Sequence, residues 1–357
     1  MKLFTATSIT RDPAARGREL GLEFGEQFAR TAALYLRHFE DLSIPSGTVR
    51  RIAENSHASL AAWAPGLAAE TGAIAEAAHI EVWKVGAVSA RTEILAAAPP
   101  RTEGECSTAV FTGKGCTAET MQTWDWHDFL VPGALLLDFV SDAGRRVKMF
   151  TEFGTAAKIG VNDAGIGLHF NILAHTTDSD QGGVPVHAIA RRILDEATSL
   201  EEAGKIAAGS AGSASTSLTV LEMHDGVSRA ASFELSPAGM GTVLPDEDGW
   251  LLHTNHFLDP ELGRGDTMPA DSTTAERYQH LNAVRDTMTG LTPVDRVRAA
   301  CGSDGGKAAI CMTADTTKPL IDQWQTLLTV GIDAENFALD FYTGPPDEAA
   351  RYGLDRF

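Results

Sequence analysis

The chain has 357 residues, 43% hydrophobic, with 29 Lys and Arg against 48 Asp and Glu, for a formal net charge of −19. That supplies a large apolar core but no cationic cluster able to displace the counterions of a nucleic acid, so no nucleic-acid partner is expected. The Met1–Thr7 segment lacks the apolar core of a signal peptide and no run of about 18 apolar residues follows, so a cytoplasmic protein off the membrane is expected.

Residues 12–40 predict a helix. Asp12 can cap free amides, Pro13 suits the first helical position, and Leu20, Phe24, Phe28, Ala32 and Leu36 recur near helical spacing. Residues 48–66 and 68–97 read as Ala- and Glu-rich helices, ending in the polar, proline-bearing loop 99–105. At Cys106 the character changes to β: 107–111, a turn at 112–115, then 117–126. Short strands are expected at 134–140, 146–153, 157–161 and 166–173. Residues 186–208 predict helix, with Ser199 and Glu202 placed as a capping box for a second segment. Strands at 217–223 and 229–235, an extended run at 250–257, a helix at 272–289 and strands at 325–331 and 336–342 complete the order. Hairpins followed by helices and more hairpins point to antiparallel sheets with helices on their faces.

Four cysteines, at 106, 116, 301 and 311, are too few for a disulfide scaffold, and none has CxxC spacing, so free thiols are expected. A lone cysteine entering a strand is most often core packing. Cys106 differs in following an exposed loop directly into a strand, whereas Cys116, Cys301 and Cys311 are assigned to packing. Amide cleavage through a covalent intermediate needs a nucleophile, a base and donors facing an oxyanion. A cysteine at a chain start brings its own α-amine, with an ordinary pKa near 7.7–8, as proton shuttle. Such an enzyme must first cut its own backbone, here between Glu105 and Cys106.

Gly104-Glu105-Cys106-Ser107-Thr108 followed by Gln122-Thr123-Trp124-Asp125-Trp126 resembles the acyl-coenzyme A:6-aminopenicillanate acyltransferase family. So do Ile159-Gly160-Val161-Asn162, Asn171, Gly212–Ser215, Phe233-Glu234, His253-Thr254-Asn255-His256, Glu276-Arg277-Tyr278 and Gly344-Pro345-Pro346. The resemblance implies an α+β fold, the four-layer αββα sandwich of N-terminal-nucleophile hydrolases. It implies a mainly helical fragment 1–105 and a catalytic fragment 106–357, retained together as an αβ heterodimer, with higher assembly left open. By the same resemblance Cys106 is nucleophile, Asp125 orients the cysteine and its amine, and Asn255 donates to the oxyanion. Arg277, Asn171 and Trp124 are implied at the substrate. Glu105 stands where the fungal acyltransferase has glycine.

The resemblance implies no cofactor, and substrates that range from penicillin-type amides to β-alanyl amines. His253 and His256 on an extended segment point to opposite faces, so with Asp125 and His127 they make poor metal ligands, and no metal is expected. Gly212–Ser217 lacks a GxSxG elbow, and Gly160–Gly167 lies between strands rather than at a phosphate-binding turn. The expected activity is hydrolysis of an N-acyl amide through a Cys106 acyl-enzyme. The same intermediate would serve an acyltransferase, and an uncut relative that binds a small amide without chemistry is the rival.

Overall fold

A computed structural model describes residues 1–98, 104–113, 117–269 and 271–357. Most of the loop expected before Glu105, much of the turn at 112–115, and Cys116 lie outside the described residues.

In chain order the elements are β1 (Lys2–Ser8), α1 (Pro13–Asp41), α2 (Ser46–Trp63), α3 (Pro65–Ala77), α4 (Val82–Ser89), α5 (Arg91–Leu95), β2 (Glu105–Phe111) and β3 (Glu119–Trp126). Next come β4 (Gly133–Val140), β5 (Arg146–Glu152), β6 (Ile159–Asn162), β7 (Ile166–Ile172), α6 (Val186–Glu196), α7 (Leu200–Ala208), β8 (Thr216–His224) and β9 (Val227–Ser236). The chain closes with β10 (Gly239–Val243), β11 (Trp250–His253), α8 (Thr274–Val284), α9 (Pro293–Cys301), β12 (Gln325–Asp333), β13 (Ala338–Tyr342), α10 (Pro346–Tyr352) and β14 (Asp355–Arg356). One sheet runs β1-β4-β5-β6-β7-β8-β9-β10 and the other β11-β2-β3-β12-β13-β14. β1 lies parallel to β4; β2 lies antiparallel to β3 and to β11.

Alternation along the strands builds the layers. In β4, Leu135, Leu137 and Phe139 pack with Leu20 and Phe24 of α1 and Ile189 of α6, while Ala134 and Leu136 join Cys106, Trp124 and Leu328 between the sheets. In β2 and β3, Ala109 and Met121 face the other way, onto Leu281 of α8, Val297 of α9 and Ala349 of α10. Helices, sheet, sheet, helices: this is the α+β, four-layer αββα sandwich.

Differences from the sequence reading have local causes. The helix expected over 68–97 is three: His79 takes φ 56° just after α3, and Ala90, at φ −98° and ψ 25°, separates α4 from α5. The second helical segment does start at the Ser199 cap, whose Oγ accepts from Glu202 N, but the Glu202 carboxylate accepts from Thr198 N rather than Ser199 N. The extended run from 250 stops at His253, where Thr254 and Asn255 turn to bond Thr274 at the head of α8. β1, β10, α9, α10 and β14 were not foreseen.

Candidate active site

The β2–β3 register sets Cys106 opposite Trp124 and Glu105 opposite Asp125. Period-two alternation then puts Cys106 and Trp124 between the sheets and Glu105 and Asp125 on the side of α8. Gly104 leads into β2 at φ +60°, with the Trp126 ring lying where a Cβ would stand, so the approach to Glu105 requires glycine.

The backbone of Cys106 is held at both ends. Its N–H donates to Asn255 Oδ1 at 2.8 Å, and its carbonyl accepts from Arg277 at 2.6 Å and from Asn171 Nδ2 at 3.2 Å. Arg277, one turn into α8 and fully buried, also donates to Ser107 Oγ (3.0 Å), Thr273 Oγ1 (3.0 Å) and Asn255 Oδ1 (2.9 Å). Burial pushes the Cys106 thiol up to about 12; Lys158 and Arg277 pull against that rise and Asp125 adds to it. The thiol is therefore protonated at neutral pH in the intact chain.

Asn255 does not present its amide N–H as expected. A backbone N–H and a guanidinium can only donate, so both must meet its oxygen. Its Nδ2 is turned to the Ile172 carbonyl at 2.9 Å. In this structure Asn255 therefore meets Cys106 as an acceptor, through Oδ1. Asn171 is fixed by Thr108, whose hydroxyl donates to its Oδ1 at 2.8 Å, which leaves Nδ2 for the Cys106 carbonyl.

Asp125 is fully buried, and burial raises its carboxyl to about 7; Arg277 and the Thr326 hydroxyl oppose the rise and Glu105 adds to it. Among the described residues neither oxygen has a hydrogen-bond donor in ordinary geometry. Glu105 is buried as well. Its carboxylate accepts from Ser272 Oγ, from Thr273 N at 3.1 Å and Thr273 Oγ1 at 2.5 Å, and lies 3.2 Å from Arg277.

Sequence reasoning missed a buried cationic layer behind the thiol. Lys158 Nζ sits 4.0 Å from the Trp124 ring centroid and 3.1 Å from Glu152 Oε1. Burial lowers its pKa to about 8, with Arg91 adding to the fall. Glu152 also binds Arg91 and accepts from Tyr35, whose hydroxyl in turn accepts from Trp126 Nε1 at 2.9 Å. A lysine set in the apolar run Ala156-Ala157-Lys158-Ile159 was the available signal.

His253 and His256 serve the scaffold: His253 Nε2 is 2.7 Å from Glu234 Oε1, and His256 Nδ1 is 2.9 Å from Thr274 Oγ1. Glu234 in turn accepts from Leu258 N and Asp259 N. Among the described residues no three His, Cys, Asp or Glu are grouped to hold a metal. The Cys301 and Cys311 sulfurs lie 3.9 Å apart beside α9, a packing pair rather than isolated thiols. A cavity of about 290 Å³ opens at Gly104, lined by Leu95, Ile172, His175, Asp178 and Met268 among others.

Two sheets between helical layers, with a strand-leading cysteine clamped at both backbone atoms, define a sandwich built around the start of β2. The family model for acyl-coenzyme A:6-aminopenicillanic acid acyl-transferase matches residues 111–347, more than half of the chain, and the chain belongs to that family. The matched stretch begins just after Cys106. A curated relative, the 40 kDa form of acyl-coenzyme A:6-aminopenicillanic-acid-acyltransferase from Emericella nidulans, is 28% identical over 211 residues. That match covers 58% of this chain and 57% of the relative, so the chain spans well under two thirds of the relative's length. Among solved structures, penicillin V acylase from Agrobacterium tumefaciens aligns with TM-score 0.45 at 15% identity, over 67% of this chain and 83% of that one. The Caenorhabditis elegans ortholog of N-acylethanolamine-hydrolyzing acid amidase aligns with TM-score 0.43 at 11% identity, over 65% and 96%.

Proposed function

We propose that the chain is a self-processing amidohydrolase in which the Glu105–Cys106 peptide is the first bond broken. The observation that carries this reading is the double clamp on Cys106: Asn255 holds the nitrogen that would become the amine, and Arg277 with Asn171 holds the carbonyl beyond it. A purely structural cysteine has no use for a buried guanidinium and two carboxamides converging on its main chain.

In the cut, Cys106 Sγ attacks the Glu105 carbonyl carbon. The C–S bond forms, the C–N bond breaks, and the thiol proton passes to the departing nitrogen. Water then attacks the thioester, releasing the Glu105 α-carboxylate and restoring the thiol. The freed α-amine of Cys106, kept against Asn255 Oδ1, becomes the proton shuttle for an N-acyl amide substrate, which follows the same two steps. Residues 1–105 and 106–357 stay together as two halves of one sandwich. The cavity at Gly104 adjoins the acyl side of the scissile bond and is the entry for substrate.

Denaturing electrophoresis of purified protein tests the proposal: it should show two bands, with amine released from simple amides only by the cut form. A single uncut chain that still hydrolyses amides would remove self-processing from the mechanism.

A further inference from the structure

We propose that the cradle holding the Glu105 side chain becomes, once the peptide before Cys106 is cut, the site that recognises a substrate acyl group ending in a carboxylate. This rests on the reading of Cys106 as nucleophile and adds the class of acyl group.

The argument starts from which residue is acylated first. During self-cleavage the acyl group on Cys106 is Glu105 itself, so the geometry of the intact chain records one acyl group the site accepts. That group carries a carboxylate separated from its carbonyl by three carbons, the skeleton of a pentanedioyl (glutaryl) unit. The carboxylate is buried and fully engaged. It has two hydroxyls, Ser272 Oγ and Thr273 Oγ1, the amide N–H of Thr273, and the guanidinium of Arg277 at 3.2 Å. Four donors, one of them charged, are what a desolvated carboxylate needs in order to be bound rather than expelled.

The cradle does not depend on Glu105 for its shape. Arg277 is anchored independently by the Cys106 carbonyl, Ser107 and Asn255, and α8 is tied to β11's exit by Thr274 bonding Asn255 N and Thr254. All of these partners belong to residues 106–357, whereas Glu105 would end the other fragment. When that end withdraws, the half-buried hydroxyls of Ser272 and Thr273, the Thr273 amide and the fully buried Arg277 guanidinium lose their carboxylate partner. Leaving such donors unpaired costs on the order of 1–3 kcal/mol for each neutral group and more for the charged one. An acyl group that restores the carboxylate recovers that energy; an uncharged or cationic acyl group does not. Asp125, opposite Glu105, adds negative charge next to the cradle and is held partly protonated near neutral pH, which limits its repulsion of a second carboxylate.

The substrate step balances as self-cleavage does. Sγ adds to the glutaryl carbonyl, the amine leaves with the thiol proton, and water releases glutarate.

Two measurements test the proposal. The first compares kcat/KM of the two-fragment protein for glutaryl-, butyryl- and β-alanyl-p-nitroanilide. Glutaryl should lead by on the order of 10–100-fold, and Thr273→Val or Ser272→Ala should bring the glutaryl-to-butyryl ratio toward one. The second needs no turnover. In the Glu105→Ala, Cys106→Ala double variant the cradle is empty in an uncut chain, so sodium propionate should raise its melting temperature by several degrees over sodium chloride of equal ionic strength. The Cys106→Ala protein, with Glu105 still seated, should show no such rise. Anilides hydrolysed without preference for glutaryl overturn the acyl-group assignment and leave Cys106 as nucleophile. A protein that stays whole and hydrolyses no anilide overturns the nucleophile reading, and the acyl site with it.

Discussion

The guanidinium of Arg277 donates to the carbonyl of Cys106 across 2.6 Å, joining α8 to the second residue of β2. Because the same side chain also reaches Asn255 and Glu105, any change at one corner of this cluster is felt at the others.

Cys106→Ala is expected to fold and remain one chain, since in the proposed mechanism the thiol would attack first its own preceding carbonyl and then the substrate. Wild-type protein should resolve into pieces of about 11 and about 27 kDa, scaled from the chain length. Intact-mass spectrometry of both proteins checks this; a Cys106→Ala protein that still cuts itself would move the nucleophile elsewhere.

Asn255→Ala should stall self-cleavage and also lower the melting temperature. It strips a buried partner from Cys106 N, Arg277 and the Ile172 carbonyl, a loss on the order of 2–4 kcal/mol. Asn255→Asp keeps an acceptor for Cys106 N and Arg277 and should retain measurable cleavage. If both variants fold normally and both are dead, the side chain is needed for its N–H and not for its oxygen. Comparing cleavage rates with thermal melts of the two proteins separates these roles.

The protonation of Asp125 makes a pH prediction. Its carboxyl titrates near 7 in the folded chain against an ordinary 3.8, so between those values the folded state keeps a proton that the unfolded chain has lost. That contribution is complete below about pH 4 and is lost as pH rises through 7. In the uncut Cys106→Ala background, Asp125→Asn should therefore stabilise the protein at pH 8 by on the order of a few kcal/mol, with the gain shrinking toward pH 4. Urea unfolding at the two pH values decides it; a gain independent of pH would show that Asp125 is ionised throughout.

Lys158→Met should slow self-cleavage at neutral pH and move its pH profile upward. The ammonium favours the Cys106 thiolate, and removing it leaves the thiol still harder to ionise. Glu152 keeps Arg91 and Tyr35, so the fold survives. A cleavage profile that does not move would reduce Lys158 to a packing cation under Trp124.

Much of this arrangement was legible in the residues. The pairing of β2 with β3 was legible, though the register sets Trp124 rather than Asp125 opposite Cys106, and Asp12, Pro13 and the apolar repeat gave α1 closely. That Asn255 lies beside Cys106 was legible but its direction was not, because the facing of a carboxamide depends on which groups lie on each side, and those come from β2, β7 and α8. Lys158 was hidden for the opposite reason: its partners Glu152, Arg91 and the Trp124 ring come from β5, α5 and β3, and no spacing rule links them. β1 was missed because a strand at a sheet edge needs little pattern of its own when its ladder is supplied by β4.

The parallel pairing of β1 with β4 gives a cut at Cys106 a history. Residues 2–8 zip along 133–139, so the first segment of the chain is hydrogen-bonded into a sheet whose other seven strands lie beyond the cut. Before the cut, folding is a unimolecular search in which the tether supplies the effective concentration of β1 beside β4. Afterwards the same native contacts persist, yet a denatured sample would have to reassemble by collision of two separate polypeptides. The nicked protein should thus melt once, regain structure only in a concentration-dependent way, and owe its working lifetime to the rate of unfolding more than to its equilibrium.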